Sequence, residues 1–172
     1  MNLDSRFSPV GDFQGSRGND NTTVNLNKGQ RLGMFELHPQ LVKDTVLIGR
    51  FQLCRLLLMN DSNYPWFILV PEREHIREVH ELTDADRRQL WDESAQLSRA
   101  LMEVFKPDKL NIAALGNQVP QLHVHHIVRY THDPAWPAPV WGKVPPRPYY
   151  SAEIVKLKNA LLPKLGEAFR SG

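Results

Sequence analysis

At residue 83 of this chain the apolar residues change period, and that change confines the fold to a sheet with a long helix laid across it. Ahead of residue 83 they come in short runs broken by turn residues: DTVLIG (44–49), QLCRLLLMN (52–60) and WFILVP (66–71), with DSNYP (61–65) between the last two. Runs of this length bounded by Gly, Asn, Asp and Pro read as strands, and their short connections read as an antiparallel meander. At Thr83 the pattern turns helical. T-D-A-D supplies an N-cap and acids in the first turn; Leu90, Ser94, Leu97, Leu101 and Val104 then recur at three and four. Trp91 and Phe105 widen the stripe, and Pro107 closes it. The spacing predicts one amphipathic helix over residues 84–105.

Two further apolar segments follow, LNIAAL (110–115) and QLHVHHIVRY (121–130), separated by the small-residue loop GNQVP (116–120). Residues 134–148 hold six prolines and two tryptophans, so this stretch must wander. Ser151 then reads as the cap of a last helix over 151–169, with Ile154, Leu157, Leu161 and Leu165 on one side and Pro163 positioned to kink or end it. The order describes an α+β domain: a mostly antiparallel sheet of about five strands, a long helix on one face and a C-terminal helix. Residues 1–33, rich in Gly, Asn, Asp and Ser, read as a flexible extension, and 34–172 as a single domain with its core in 35–130.

Composition removes several classes of function. No apolar run approaches the roughly 18–20 residues of a membrane span, and the N-terminus lacks a basic-then-apolar leader, so a soluble cytoplasmic protein is expected. The single cysteine, Cys54, excludes an internal disulfide and a Cys-rich zinc site, and its setting in FQLCRLLLM marks a core thiol. Net charge is +2, but residues 34–139 carry eleven Lys/Arg against fourteen Asp/Glu, which is no platform for a nucleic-acid backbone.

The chemistry concentrates at residues 121–126. Strand alternation turns Gln121, His123 and His125 to one face and Leu122, Val124 and His126 to the other. Paired imidazoles beside a glycine-containing turn suit two kinds of site. A His-x-His pair could hold zinc or iron, but Gln121 is a poor third ligand, no acid follows closely, and only distant His38, His75, His80 or His132 could complete a set. Alternatively, a neutral imidazole whose second nitrogen is held by an acceptor attacks phosphorus well, while amides such as Asn117 and Gln118 hold phosphoryl oxygens. A strand that merely contains histidines is the plain alternative. His126, on the opposite face, reads as a packing residue.

VPQLHVHHIVR resembles the signature of the histidine-triad (HIT) family, three histidines alternating with apolar residues. LLLMNDSNYPWFILVPER resembles the paired strands of that family, and LTDADRRQLWDESAQLSRALMEVF its long helix, so the likeness spans about residues 35–130 in order. The resemblance implies a homodimeric, nucleotide-binding domain. It implies hydrolysis or transfer of nucleotidyl groups, at the α-phosphate of dinucleoside polyphosphates, nucleoside phosphoramidates or related conjugates, through a covalent nucleotidyl-histidine. By position, His123 would be the nucleophile and His125 a phosphate ligand or aid to the leaving group. Asn117 and Gln118 would be phosphate ligands, and Asn60 or Asp61 the ribose ligand. No resident metal or cofactor is implied, though the substrate could arrive as a magnesium complex.

Gln121 departs from the pattern, standing where the first histidine belongs. An amide still donates and accepts, so Gln121 is expected to remain a catalytic-row residue that holds a phosphoryl oxygen with His125, Asn117 and Gln118, but it cannot be protonated. A nucleotide-binding module with little or no catalysis is therefore the second reading, and a metal-dependent enzyme on the His-x-His pair the third. Trp136 and Trp141 read equally as cover for a base or as anchors of an irregular segment, and Arg73 and Arg77 as a solvated face.

Overall fold

The computed structural model describes residues 35–172, and the expectation for residues 1–33 lies outside the described residues. A short helix α1 (Pro39–Asp44) leads into β1 (Thr45–Arg50), β2 (Cys54–Met59) and β3 (Trp66–Pro71). The long helix α2 (Asp84–Phe105), β4 (Lys109–Ala113) and β5 (Val124–Arg129) follow, then α3 (Ser151–Leu161) and the two-residue strand β6 (Arg170–Ser171). One antiparallel sheet results, in the order β4-β5-β3-β2-β1-β6.

Both faces of the sheet are covered, which is why β3 and β5 are buried at every position. On one face α2 and α3 pack over Leu56, Leu58, Phe67, Leu69, Val124 and Val128. Thr83 Oγ1 accepts from the Asp86 backbone N–H (3.1 Å) to start α2, and Lys106, left-handed at φ 48°, ends it. Within the stripe lies buried Glu93, which accepts from the backbone N–H groups of Leu53 (2.7 Å) and Cys54 (2.9 Å) and so pins the helix to the start of β2. Cys54 is fully buried; desolvation and the neighbouring Glu93 carboxylate push its thiol far up, so it is inert.

The opposite face is roofed by irregular chain: the segment leading into α1, and the proline-rich stretch after β5. Leu41, Leu57, Trp66, Ile68, Ile127 and Val140 form this second core, with Phe35 and Leu37 packed against it. Arg129, almost fully buried, organises the proline-rich stretch. Its guanidinium donates to Asp133 (2.7 and 3.1 Å), to Asn111 Oδ1 (2.6 Å) and to the Ala138 carbonyl (3.0 Å).

Several expectations are corrected. The sheet has six strands rather than about five, because residues 170–171 return to pair with β1. The last helix ends at Leu161, not 169: Pro163 falls within a 3₁₀ turn over Leu162–Lys164. Its N-cap is Tyr150, with Ser151 already helical. Helix α1, begun by Pro39, was not anticipated from the sequence. Trp91 is 46% exposed and lies outside the buried stripe. Pairing in the histidine strand begins at Val124, so residues 121–123 lead into it. No helix among the described residues is long and apolar enough to cross a membrane.

Candidate active site

Sheet register and two hydrogen bonds define the histidine pair. β5 lies between β3 and β4, with His125 opposite Ile68 and Ala113. His123 and His125 share the irregularly roofed face, their rings perpendicular with centroids 4.8 Å apart. His126 points the other way, beneath α2, where its Nε2 lies 2.7 Å from Ser94 Oγ. The parity of the row holds, although its first members precede the strand.

The partners of each ring dictate its tautomer. His123 Nδ1 is 2.7 Å from the backbone carbonyl of Gln121; a carbonyl only accepts, so Nδ1 carries the proton and Nε2 keeps its lone pair. That Nε2 has no hydrogen-bond partner among the described residues, and His123 lines a cavity. His125 is set the opposite way. Trp66 Nε1–H donates to its Nδ1 (3.0 Å), leaving Nε2–H to donate to the Leu115 carbonyl (3.2 Å). The site therefore pairs an unprotonated nitrogen on His123 with an N–H donor on His125.

Burial keeps these rings neutral. Desolvation lowers the pKa of His123, opposed by its bond to the Gln121 carbonyl and reinforced by His38 nearby. Desolvation, with the proximity of His123, takes His125 down to about 4; desolvation takes His126 to about 4. An unfolded imidazole titrates near 6.5, so between about pH 6.5 and 4 the unfolded chain binds more protons than the native one. Stability is thus expected to fall as pH drops through that window, by on the order of 3 kcal/mol for His126 alone. Urea unfolding across pH 4–7 measures this, and His126→Gln should flatten the profile. An unchanged slope in the variant would remove His126 as its source.

Two indoles box His125. Trp66 and Trp141 lie edge-on to one another (centroids 5.3 Å), and their centroids stand 5.4 and 5.3 Å from that of the imidazole. Together with Leu41, Met59, Asn117 and Gln118 they line a cleft of about 390 Å³ that reaches His123 and His125. A neighbouring cavity of about 410 Å³ shares Met59, Trp66 and Trp141 and is lined by Asn60 and Asp61. On the other side of His123, a polar cavity of about 230 Å³ meets the cleft at Gly116, Asn117 and His123. Gly116 has to be small, since a Cβ there would stand 2.8 Å from the Val119 carbonyl and 3.2 Å from His123 Cε1.

Most of the residues singled out from the sequence converge here. Asn117 and Gln118 line the cleft with both histidines. Asn60 and Asp61 reach only the adjoining cavity, and both also brace the roof. Asn60 Oδ1 accepts from the Tyr149 backbone N–H (2.9 Å), and Asp61 Oδ1 from those of Asn63 and Arg147 (both 3.1 Å). Gln121 makes its amide hydrogen bonds to the backbone of residues 36 and 38. Trp141 joins the site, whereas Trp136 lies outside it with the Arg129 guanidinium 5.7 Å from its ring. Arg77 borders the polar cavity; Arg73 is instead paired with Asp86 (2.6 Å). Among the described residues no three His, Cys, Asp or Glu side chains cluster as metal ligands.

Sequence reasoning missed Trp66 as a functional residue, because its partner His125 lies 59 positions away. Trp66→Phe removes the N–H that fixes the His125 tautomer and is expected to lower kcat/KM about tenfold, the worth of one net hydrogen bond. The ¹⁵N shifts of the His125 ring should change with it; unchanged shifts and rates would remove this role.

An antiparallel sheet carrying a histidine pair of opposite tautomers on its roofed face, with a cleft along the pair, defines a histidine-triad type of domain. The chain belongs to the HIT domain family, whose profile matches residues 40–132. It is similar to a histidine triad protein from Marinobacter aquaeolei VT8, at 54% identity and TM-score 0.75 over 77% of this chain and 97% of that one. A histidine triad protein from Bradyrhizobium japonicum aligns at 46% identity and TM-score 0.76, over 78% and 100%. One from Sinorhizobium meliloti 1021 aligns at 42% and 0.75, over 77% and 99%. No curated protein gives a significant match. Membership supports a nucleotide-binding hydrolase or transferase in general.

Proposed function

We propose that the protein cleaves nucleotidyl conjugates at the α-phosphate, with His123 as covalent nucleophile. Dinucleoside polyphosphates and nucleoside phosphoramidates are the substrate classes. The observation that carries this reading is the fixed tautomer of His123, a residue of the cleft lining, whose Nδ1–H is held by the Gln121 carbonyl while Nε2 keeps its lone pair.

The nucleoside occupies the cleft along Trp66 and Trp141, where flat indoles suit a base, with Asn60 and Asp61 in the adjoining cavity near its ribose. The Nε2 lone pair of His123 forms a bond to phosphorus as the bond from phosphorus to the leaving group breaks in line, the electron pair departing with that group. Positive charge then resides on the phosphorylated imidazole, and the Gln121 carbonyl stabilises it through Nδ1–H. His125 Nε2–H, now held only by a long bond to Leu115, and the amides of Asn117 and Gln118 donate to the phosphoryl oxygens or to the departing atom. Water or another acceptor attacks phosphorus in the second step, its proton passes to solvent, and the N–P electron pair returns to Nε2. No step calls on a resident metal, and magnesium enters only as a companion of the substrate.

Purified protein is tested for AMP or GMP release from both substrate classes, with acid quenching to trap a nucleotidyl-protein adduct. An adduct on His123 supports the reading. Nucleotide-induced thermal stabilisation without turnover would favour a binding module instead, and activity abolished by chelation and restored by a transition metal would favour a metal enzyme. A homodimer, inherited from the family likeness, belongs to the same proposal; light scattering tests it. A cytoplasmic location, expected from composition, is proposed with it.

A further inference from the structure

We propose that Gln121 is a positioning residue: its side-chain amide clasps the backbone of residues 36–38 and so holds in place α1, which forms one wall of the cleft just beyond them. The consequence for substrate binding rests on the function proposed above, whereas the clasp itself does not.

The clasp is a two-point contact over more than eighty positions. The His38 backbone N–H donates to Gln121 Oε1 (2.9 Å), and Gln121 Nε2 donates to the Glu36 carbonyl (2.9 Å). A primary amide presents its donor and acceptor side by side, as a strand neighbour would to an extended segment. No other side chain at this position does so equally well. Imidazole carries its two nitrogens on opposite edges of the ring, and carboxylate has no donor for the Glu36 carbonyl.

What the clasp holds bears directly on the site. Phe35 and Leu37 are packed against the second core, and Arg55 donates to the Phe35 carbonyl (3.3 Å) with its guanidinium 4.8 Å from the Phe35 ring. Immediately beyond the clasp, Leu41 and Asp44 line the cleft that reaches His123 and His125. His38 and Gln121 themselves line a further cavity of about 480 Å³ with His75 and Arg77. Meanwhile the backbone carbonyl of Gln121 holds Nδ1 of His123. One residue thus joins the wall to the nucleophile, by its side chain on one side and its main chain on the other. Because the contact to His123 is main-chain, changing the side chain should loosen the wall and spare the tautomer. Substrate affinity should respond and the chemical step should not.

The experiment compares full-length wild type with Gln121→Met, Gln121→Glu and Gln121→His by amide hydrogen exchange and by steady-state kinetics. In Gln121→Met the His38 amide is expected to exchange at least about fivefold faster, the smallest factor two net hydrogen bonds supply, with exchange accelerated through residues 37–44. KM for the nucleotide substrate should rise by a similar factor while kcat stays within about twofold. Gln121→Glu, which keeps only the acceptor, should fall between the two. Gln121→His should behave like Gln121→Met. Unchanged exchange at His38 in Gln121→Met overturns the clasp, as does a several-fold gain in kcat in Gln121→His with exchange unaltered. Absence of turnover in the wild type defeats the proposed function alone, because the exchange measurement still decides the clasp.

Discussion

His123→Ala is expected to lower nucleotide release by at least ~10³-fold while the protein stays folded. Among the described residues of the site, this imidazole alone has a nitrogen lone pair fixed by a hydrogen bond on its far side, and neither His125 nor Gln121 can substitute for it. His125 Nδ1 is occupied by Trp66, and its Nε2 bears the proton. The alanine side chain leaves a gap at the edge of an open cleft, so the stability cost is modest and circular dichroism should match the wild type. Turnover that persists in His123→Ala sinks the covalent mechanism. The pH profile gives an independent check. Burial lowers the pKa of His123, so Nε2 stays unprotonated below pH 6.5, and the acid limb of kcat/KM should lie below that value. An acid limb above pH 6.5 would contradict this assignment.

The largest effect on stability is expected at Arg129. Its side chain is 1% exposed and that of Asp133 5%, and between them run two charge-assisted hydrogen bonds. Burial alone would raise the Asp133 carboxyl, but the Arg129 hydrogen bonds and the backbone N–H groups of Ala135 and Tyr130 hold it below the usual range. Arg129→Met leaves this carboxylate buried without its cation, a change that costs about 3–5 kcal/mol. In a domain of this size the melting temperature should drop by roughly 10–20 °C. The damage also reaches the site, because the same guanidinium ties β5 to the Ala138 carbonyl ahead of Trp141. Adding Asp133→Leu should restore part of the loss, since it removes the stranded charge. A shift of only a degree or two in Arg129→Met would show that the network is worth far less than its burial implies.

Much of this architecture was legible because local periodicity encodes it. The stripe from Leu90 to Leu101 predicted α2, since a helix buried on one side must repeat every three to four residues, and Thr83 and Pro107 marked its ends. WFILVP matched β3 over its whole length, because a strand covered on both faces must be apolar throughout. The division of the histidines was legible for the same reason: alternation separates His123 and His125 from His126 wherever the sheet is placed. Less legible was the length of the last helix: Pro163 marked a kink or an end, but regular spacing through Leu165 carried the expected range on to 169. The roof was not legible at all. A segment such as 134–148 has no period, and its course depends on an ion pair and on indoles that meet partners from other parts of the chain.

The sequence by itself determined the α+β class, the helix that backs the sheet, the family likeness and the histidines able to face a substrate, all consequences of spacing between near neighbours. Only the tertiary structure decided what those histidines hold. Trp66 sets the His125 tautomer from 59 positions away, and Gln121 joins its amide to the backbone of residues 36 and 38. Such contacts arise where sheet register and loop packing bring distant residues together, and periodicity along a chain carries no record of that meeting.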